Sequence, residues 1–337
     1  MNLHKTAIEW ATHTWNPVTG CRHGCEYCYA RRFTARFAPH ACERPDPAPL
    51  EFLPKGTGIY VADTPARLLD EHGAYLRSTP YPKGFAPTFH TYTLGYPEKC
   101  LTPARIFVSS MGDLFGEWVP DAWISEVFDA CKRAPRHVYM FLTKNPQRYC
   151  DLANAGKLPA EPNFWYGTSV TGKGAPAFAE SVGYNTFLSI EPLLEDIDPD
   201  VGSFGGVRWL IIGAMTGPGS KYHQPKREWV EKIVEAAKIT RAAVFMKDSL
   251  KPVWGDDLIR ELPDGMKSMP EGPGPVPHCK ECEHREETPQ GRRGTAIACQ
   301  IGWEAEGYDD RPARPVPGRY TRSSPPWCPR RKERNST

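Results

Sequence analysis

Three closely spaced cysteines, Cys21, Cys25 and Cys28, are the residues of this sequence that most directly imply chemistry. Their spacing, Cys-x3-Cys-x2-Cys, can ligate three irons of a [4Fe–4S] cluster and leave the fourth iron open. An open iron can chelate an amino-acid-like cofactor and pass it an electron. Two other interpretations stay open from the residues alone: a structural zinc site with His23 or Cys42 as fourth ligand, and a chance grouping of thiols.

A second group of cysteines lies near the C-terminus, where the pair Cys279 and Cys282 is followed by Cys299 and Cys328. Four such ligands fit either a structural zinc site or an auxiliary [4Fe–4S] cluster, and unligated thiols are the third alternative. Because so short and polar a segment needs a metal to fold, we expect a second metal site there. Beyond Asp310 the tail is strongly basic, which indicates either nucleic-acid contact or a solvated tail.

The elements that position these residues are predicted from the sequence between about residues 100 and 250, where short apolar runs, turns and segments with helical periodicity alternate. The predicted strands are Arg105–Ser109, Val138–Thr143, Asn163–Ser169, Thr186–Ile190, Val207–Gly213 and Ala242–Met246. The predicted helices are Asp121–Arg133 and Arg227–Thr240. The alternation predicts an α/β fold with a parallel sheet, whose active site lies at the carboxyl ends of the strands.

The sequence predicts three domain-level segments. Residues 1–250 form the α/β domain, with an irregular insert over residues 38–98 that is rich in proline, glycine and aromatic residues. Residues 251–277 form a linker rich in proline and glycine, and residues 278–337 form a small Cys-rich, basic domain.

Composition excludes several classes of protein. The formal net charge of +2 over 337 residues means that any affinity for nucleic acid must come from a local patch. No apolar run approaches the about 18 residues of a membrane span, and the N-terminal segment lacks the apolar core of a signal peptide. We therefore expect a cytoplasmic protein without membrane segments, in which clustered cysteines bind metal rather than form disulfides.

Several ordered motifs resemble the radical S-adenosylmethionine (SAM) superfamily, and more narrowly a phage-associated family of radical-SAM-like proteins that is distantly similar to spore photoproduct lyase. The resemblance covers roughly residues 7–250. It rests on IEWATHTWNPVTGC before Cys25 and Cys28, and on FVSSMGDLFGEWVP, FLTKNPQRY, WYGTSV, SIEPLL and WLIIGAMTGPGSKYHQPKREWV. The chain departs from the expected pattern at Met215 and Thr216, where a glutamate and a serine are usual.

The resemblance implies a partial (β/α)6 TIM-type barrel in which SAM binds the free iron through its amino and carboxylate groups. It also implies a set of cofactor-binding and catalytic residues. Tyr27 packs beside the adenine, Ser109, Ser110 and Asp113 lie near the amino group, Lys144 faces the carboxylate, Ser169 and Glu191 approach the ribose or substrate, and Gly213 begins a glycine-containing loop near the adenine. Lys144, Glu191 and Lys247 are the catalytic candidates. Structural roles stay open for them: an ion pair at the rim for Lys144, a turn cap for Ser109 or Ser110, and a structural acceptor for Glu191.

The reaction implied by the resemblance is reductive cleavage of SAM to a 5′-deoxyadenosyl radical, which abstracts hydrogen from a substrate. A reductant such as flavodoxin or ferredoxin supplies the electron, and the setting is the host cytoplasm if the chain is phage-encoded. The basic tail and the family favour DNA as partner, with an isomerase acting on modified thymidine as the specific hypothesis. The alternatives are a lyase-type DNA repair enzyme and a non-catalytic zinc- and nucleic-acid-binding protein; the oligomeric state stays open.

Overall fold

The computed structural model of the protein describes residues 3–178, 183–197 and 204–267, and the backbone of three short strands between residues 285 and 315. The chain divides into two compact units, one made of residues 1–100 and 104–269, the other of residues 101–103 and 270–337. Within the described residues, no helix combines the length and the apolar composition needed to cross a membrane.

The first hundred residues of the first unit carry short elements. They are β1 (His4–Lys5), β2 (His13–Trp15), β3 (Val18–Thr19), α1 (Tyr29–Ala35), β4 (Arg44–Asp46), β5 (Leu50–Glu51), β6 (Tyr60–Ala62), β7 (Ala66–Leu69), β8 (Tyr75–Thr79), β9 (Thr88–His90) and α2 (Tyr96–Lys99). Two small sheets result, with strand orders β3-β9-β6-β5 and β4-β7-β8. The segment 38–98, expected to be irregular, therefore contains six strands.

The remainder of the first unit supplies longer elements. They are β10 (Arg105–Val108), α3 (Asp121–Arg133), β11 (Val138–Thr143), α4 (Gln147–Asn154), β12 (Phe164–Ser169), β13 (Asn185–Ile190), β14 (Trp209–Ile212), α5 (Arg227–Thr240), β15 (Ala243–Met246), α6 (Lys251–Trp254) and α7 (Asp264–Lys267). Single 3₁₀ turns lie at Thr91–Thr93, Ser220–Tyr222 and Asp248–Leu250.

The main sheet has the order β1-β2-β10-β11-β12-β13-β14-β15. Strand β2 pairs in parallel with β10, and the pairs from β10 to β15 are all parallel, whereas β1 is antiparallel to β2. This arrangement confirms the predicted α/β fold with a parallel sheet. The order is linear, so the described strands form an open sheet and not a closed barrel.

Alternation along the strands separates two faces of this sheet. In β10, Ile106 and Val108 pack in a cluster with the helix residues Trp123 and Val127. Phe107, between them in sequence, packs instead with an aromatic layer on the other face. That layer consists of Trp10, Phe107, Trp165, Phe187, Trp209 and Phe245. Strands β10, β12, β13, β14 and β15 thus each contribute one large ring to this face, whereas β11 contributes Val138 and Met140.

Contacts far apart in sequence join the two ends of the first unit. The Glu9 carboxylate accepts hydrogen bonds from Arg260 Nη1 at 2.5 Å and from the Asp248 amide at 2.9 Å. Arg260 Nη2 also donates to Asp248 Oδ1 at 2.7 Å. The segment before β2 is thereby fixed beside β15, where Trp10 covers the aromatic layer.

The second unit contains an antiparallel sheet of β16 (Arg285–Pro289), β17 (Thr295–Cys299) and β18 (Arg314–Pro315). Cys299 is the last residue of β17 and pairs in register with Arg285 and Arg314. The other three cysteines predicted to bind metal here, Cys279, Cys282 and Cys328, lie outside the described residues, and so does most of the basic tail.

Candidate functional site

A cavity of about 260 Å³ lies at the carboxyl end of the main sheet. Most of the predicted site residues line it: Tyr27, Ser110, Asp113, Lys144, Ser169, Glu191, Lys247 and the cysteines Cys21, Cys25 and Cys28. Ser109 and Gly213 are not among its lining residues. Side chains from the cysteine loop and from five strand ends therefore meet in one place, as expected for a parallel α/β sheet.

Backbone contacts fix the cysteine loop against the sheet. Gly20 pairs with Gly112, which follows β10, and the Gly20 amide donates to the Met111 carbonyl at 2.9 Å. Gly20 has a φ of +82°, and a Cβ on it would collide with the carbonyl of Ala86. Only glycine combines this left-handed conformation with so close an approach, so the start of the loop is held independently of its side chains.

The three thiols of the loop are free. Cys28 caps helix α1, and its Sγ accepts a hydrogen bond from the Arg31 amide at 3.4 Å, while Cys21 Sγ accepts one from the His23 amide at 3.5 Å. Burial, with smaller contributions from the charges of Asp113, Cys25 and Cys28, raises the pKa of the Cys21 thiol to about 12, although the hydrogen bond from the His23 amide acts in the opposite direction.

This donor set fits a cluster with three protein ligands, since three sulfurs of one loop line one cavity and amide groups donate to two of them. Cys42, a candidate fourth ligand for zinc, is exposed and does not line the cavity. Among the described residues, no three His, Cys, Asp or Glu side chains are grouped so that they could hold a single metal ion.

Asp113 connects the cysteine loop to the end of β11. Its Oδ2 accepts hydrogen bonds from His23 Nε2 at 2.8 Å, Thr143 Oγ1 at 2.9 Å and the Lys144 amide at 3.1 Å. Its Oδ1 accepts from the Phe115 amide at 2.9 Å. Asp113 is buried, so these four protein donors replace most of the hydrogen bonds that its carboxylate would make with water. The residue expected near the SAM amino group is thus engaged by the protein itself.

Glu191 and Lys247 form an ion pair on the other side of the cavity, with 2.6 Å between Lys247 Nζ and Glu191 Oε2. Glu191 Oε1 also accepts from Trp10 Nε1 at 3.3 Å and Ser189 Oγ at 3.0 Å. A Cβ on Gly213 would lie 3.1 Å from Lys247 Cδ and 3.3 Å from Glu191 Cβ. Gly213 therefore leaves room for the pair, while the carboxylate is oriented by three donors.

Lys144 differs from Lys247 because it makes no ion pair in the part of the chain that the structure describes. Its Nζ lies 5.3 Å from the centroid of the Tyr27 ring, a cation–π contact. Both residues line the cavity, and the charge of Lys144 is available to an anionic group there. With Arg32, Lys144 and Lys247 against Asp113 and Glu191, the lining has one more cation than anions.

The turn after β10 contributes Ser110 to the lining of the cavity. Ser109 has a φ of +58°, and its buried Oγ has no hydrogen-bond partner among the described residues. Ser110 Oγ donates to Asn16 Oδ1 at 3.1 Å, and the Ser110 carbonyl accepts from Tyr29 Oη at 2.6 Å. Ser110, which follows the left-handed residue Ser109, therefore contacts both Asn16, just before β3, and Tyr29 of helix α1.

Several lining residues were not singled out from the sequence as parts of the catalytic site, among them Trp10, Arg32, Tyr29 and Ser189. Tyr29 directly follows Cys28 and Arg32 lies one turn further along α1, so their nearness to the cysteine loop was the signal available for both. Ser189 is the register partner of Ser169 on the neighbouring strand. Nothing local in the sequence marks Trp10, whose partner Glu191 is 181 residues away.

Comparison with known proteins gives one family match. The model of a family described as protein of unknown function (DUF5131) matches residues 5–256. No curated protein matches the chain. Similar solved structures include a spore photoproduct lyase variant with bound AdoMet and dinucleoside spore photoproduct, at 10% identity and a TM-score of 0.38. Spore photoproduct lyase complexed with dinucleoside spore photoproduct has 10% identity and a TM-score of 0.39. Each alignment covers 92% of this chain and 74% of the other. Because the family model matches most of its length, the chain belongs to the DUF5131 family.

Proposed function

We propose that this protein is a radical SAM enzyme whose Cys21, Cys25 and Cys28 hold a [4Fe–4S] cluster. The observation that carries the proposal is the meeting of these cysteines with strand-end polar residues in one cavity above a parallel sheet. When bound and reduced by a carrier such as flavodoxin or ferredoxin, the cluster supplies the electron that splits SAM into methionine and a 5′-deoxyadenosyl radical.

The residues of the chain would bind and orient the reactants. Lys144 makes no ion pair with the described residues, so its ammonium suits the SAM carboxylate, and the ring of Tyr27 beside it suits the adenine. Ser169, Ser189 and the oriented Glu191–Lys247 pair offer hydrogen bonds to ribose or substrate hydroxyls. Asp113 would position Lys144 and the cysteine loop relative to each other rather than touch SAM.

We further propose a modified base in DNA as the substrate, with isomerisation during thymidine hypermodification of phage DNA as the specific reaction, in a reducing cytoplasm. The predicted C-terminal metal site, zinc or an auxiliary cluster, and the domain boundaries at residues 250 and 278 belong to the same proposal. Support for a nucleic-acid substrate comes from the basic tail and from the excess of cations in the cavity.

A lyase-type repair reaction is the second candidate, and Tyr29 is the observation that favours it. A lyase that quenches a substrate radical needs a hydrogen-atom donor, and the phenol of Tyr29 lines the cavity beside Cys28. Mass spectrometry of nucleosides separates the two reactions: isomerisation of a modified thymidine conserves its mass, whereas lyase chemistry changes it. A Tyr29→Phe variant that keeps the full rate with DNA would contradict the lyase role of Tyr29.

The test of the radical reaction is anaerobic reconstitution with iron and sulfide, followed by dithionite and SAM. We expect 5′-deoxyadenosine from the wild type and none from Cys25→Ala. Cys42→Ala is the matched control, because this exposed cysteine lies outside the cavity. Loss of iron in Cys42→Ala, a colourless zinc-loaded wild type, or a cluster-loaded wild type that forms no 5′-deoxyadenosine would each overturn the proposal.

A further inference from the structure

Helix α1 and the turn that follows it present an exposed aromatic stripe directly beside the cavity. Tyr29, Phe33 and Phe37 follow at four-residue intervals and are 53%, 43% and 40% exposed. Tyr29 and Phe33 lie on the same side of α1 because they are four residues apart, and Phe37, in the turn after the helix, packs against Phe33; Ala30 and Thr34 on another side of the helix are buried. A contiguous group of exposed rings is typical of a binding surface.

The rings are arranged so that a chain of flat groups can lie along them. The centroids of Phe33 and Phe37 are 4.8 Å apart, with 42° between their planes. Tyr29 stands one helical turn before Phe33 and also lines the cavity. The stripe therefore runs from the protein surface at Phe37 to the cavity at Tyr29.

Positive charge accompanies the stripe. Arg32 of α1 and Arg36, which caps the C-terminal end of the helix, each lie three residues after a ring of the stripe, and both are exposed. No acidic residue occurs between Glu26 and Glu43, and Glu43 is paired with Arg77 at 2.8 Å. Arg36 makes no ion pair among the described residues. The charge beside the rings is thus uncompensated.

We propose that this α1 face, formed by Tyr29, Arg32, Phe33, Arg36 and Phe37, binds an unpaired nucleic-acid strand that leads to the cavity. Bases stack on the rings and phosphates meet the arginines, which is the combination used for single-stranded nucleic acid. An apolar protein partner would cover the rings but leave the arginines without counter-charges. The inference deepens the proposed function and rests on it for the substrate: the reacting base is part of a strand, not a free nucleoside.

The test measures binding of a fluorescein-labelled dT12 oligonucleotide to the full chain by anisotropy, at several NaCl concentrations. The double variant Phe33→Ser, Phe37→Ser removes two stacking rings, so we expect binding at least about five-fold weaker at every salt concentration. Arg36→Gln removes one phosphate contact, so the slope of log K against log salt should fall by about 0.7. The slope separates the arginine from the rings, because uncharged stacking leaves it unchanged.

Two matched controls lie on the helices that cover the outer face of the sheet. Ile239→Ser removes an apolar side chain that is 66% exposed on α5, and Lys132→Gln removes an exposed charge on α3. Both should bind dT12 as the wild type does. If the two α1 variants also bind like the wild type, or if the controls weaken binding equally, a strand does not bind this face.

A second measurement on the same wild-type protein tests the proposed function independently of dT12 binding. Formation of 5′-deoxyadenosine by the wild type without DNA reports on radical chemistry alone. If the α1 variants bind dT12 more weakly than the wild type while the wild type forms no 5′-deoxyadenosine, strand binding by the α1 face is supported and the radical reaction is refuted. Unchanged dT12 binding by these variants, together with 5′-deoxyadenosine formation, refutes the α1 face and leaves the radical reaction standing.

Discussion

Replacing Asp113 with alanine should destabilise the fold and release the cysteine loop in the same step. The buried carboxylate accepts four hydrogen bonds, three of them at Oδ2. Each bond to a charged acceptor contributes about 1.5–3 kcal/mol. The simple sum overstates the loss because water can reach His23, whose side chain is 21% exposed. We therefore expect the free energy of unfolding to fall by about 3–5 kcal/mol, as for other broken buried polar networks.

Replacing Asp113 with asparagine removes the charge of the side chain but keeps its shape, so this variant separates the two contributions to stability. Its amide oxygen can face the three donors now bonded to Oδ2, but its NH₂ group then faces the Phe115 amide, which loses its acceptor. One unsatisfied amide and weaker, uncharged bonds predict a loss of about 2 kcal/mol. Thr186→Val is the control, because Thr186 is equally buried and its hydroxyl makes one hydrogen bond, to the Gly206 carbonyl at 3.1 Å.

The assay is urea unfolding of the reduced, metal-free chain, followed by iron and sulfide analysis after anaerobic reconstitution. Asp113→Ala should lose both stability and iron, and Asp113→Asn should be intermediate. Thr186→Val should lose about 1 kcal/mol and keep its iron. If Asp113→Ala costs no more than Thr186→Val and binds a full complement of iron, then Asp113 does not hold the cysteine loop.

Three further predictions concern separate features. Gly20→Ala should lower the free energy of unfolding by more than about 2 kcal/mol, because the new Cβ meets the Ala86 carbonyl. Gly24→Ala has open space around it, so it should cost only about 1–2 kcal/mol, the cost of the left-handed conformation for alanine. Equal urea midpoints for the two variants would contradict this. Lys144→Met should raise the Kd for SAM about tenfold by calorimetry, and an unchanged Kd would remove Lys144 from the site. Burial lowers the pKa of His90 from 6.5 to about 4, so the unfolded chain binds a proton that the folded chain does not, and this group should contribute a loss of about 3 kcal/mol as the pH falls from 7 to 4. Burial also lowers the pKa of His137 to about 4, so His90→Gln should make the pH dependence of stability shallower in urea titrations without abolishing it; a pH profile parallel to that of the wild type would exclude His90 as a source.

The long, regular elements could be predicted from the sequence because one strong pattern defines each of them. Val138–Thr143, Asp121–Arg133 and Arg227–Thr240 have the predicted bounds. Their apolar residues repeat with the period of a strand or a helix, so the burial that stabilises them is visible locally. The remaining strands of the parallel sheet differ from prediction by one or two residues at their ends.

Short strands could not be predicted, because whether such a segment forms a strand depends on pairing with residues that are distant in sequence. His13–Trp15 pairs with β10, some ninety residues away, and three residues carry no readable period. The strands between residues 44 and 90 have only two to five residues each, and the proline and glycine around them hide the pairing. The same limit applies to the site: the cysteines were readable from spacing, but the bonds of Asp113 and the Trp10–Glu191 contact depend on the folded chain.

The distance in sequence between the two ends of the first unit has a consequence for synthesis. Glu9 and Arg260, whose contact holds Trp10 over the aromatic layer, are 251 residues apart. At about 5–20 residues per second, translation needs about 13–50 s to deliver the second partner after the first. The thiols of Cys21, Cys25 and Cys28 emerge from the ribosome early, before the later residues that line the same cavity have been synthesised. During that interval they are open to oxygen and to metal ions, so on the proposed function the yield of protein carrying the cluster should depend on the speed of translation and on the oxygen level of the cell.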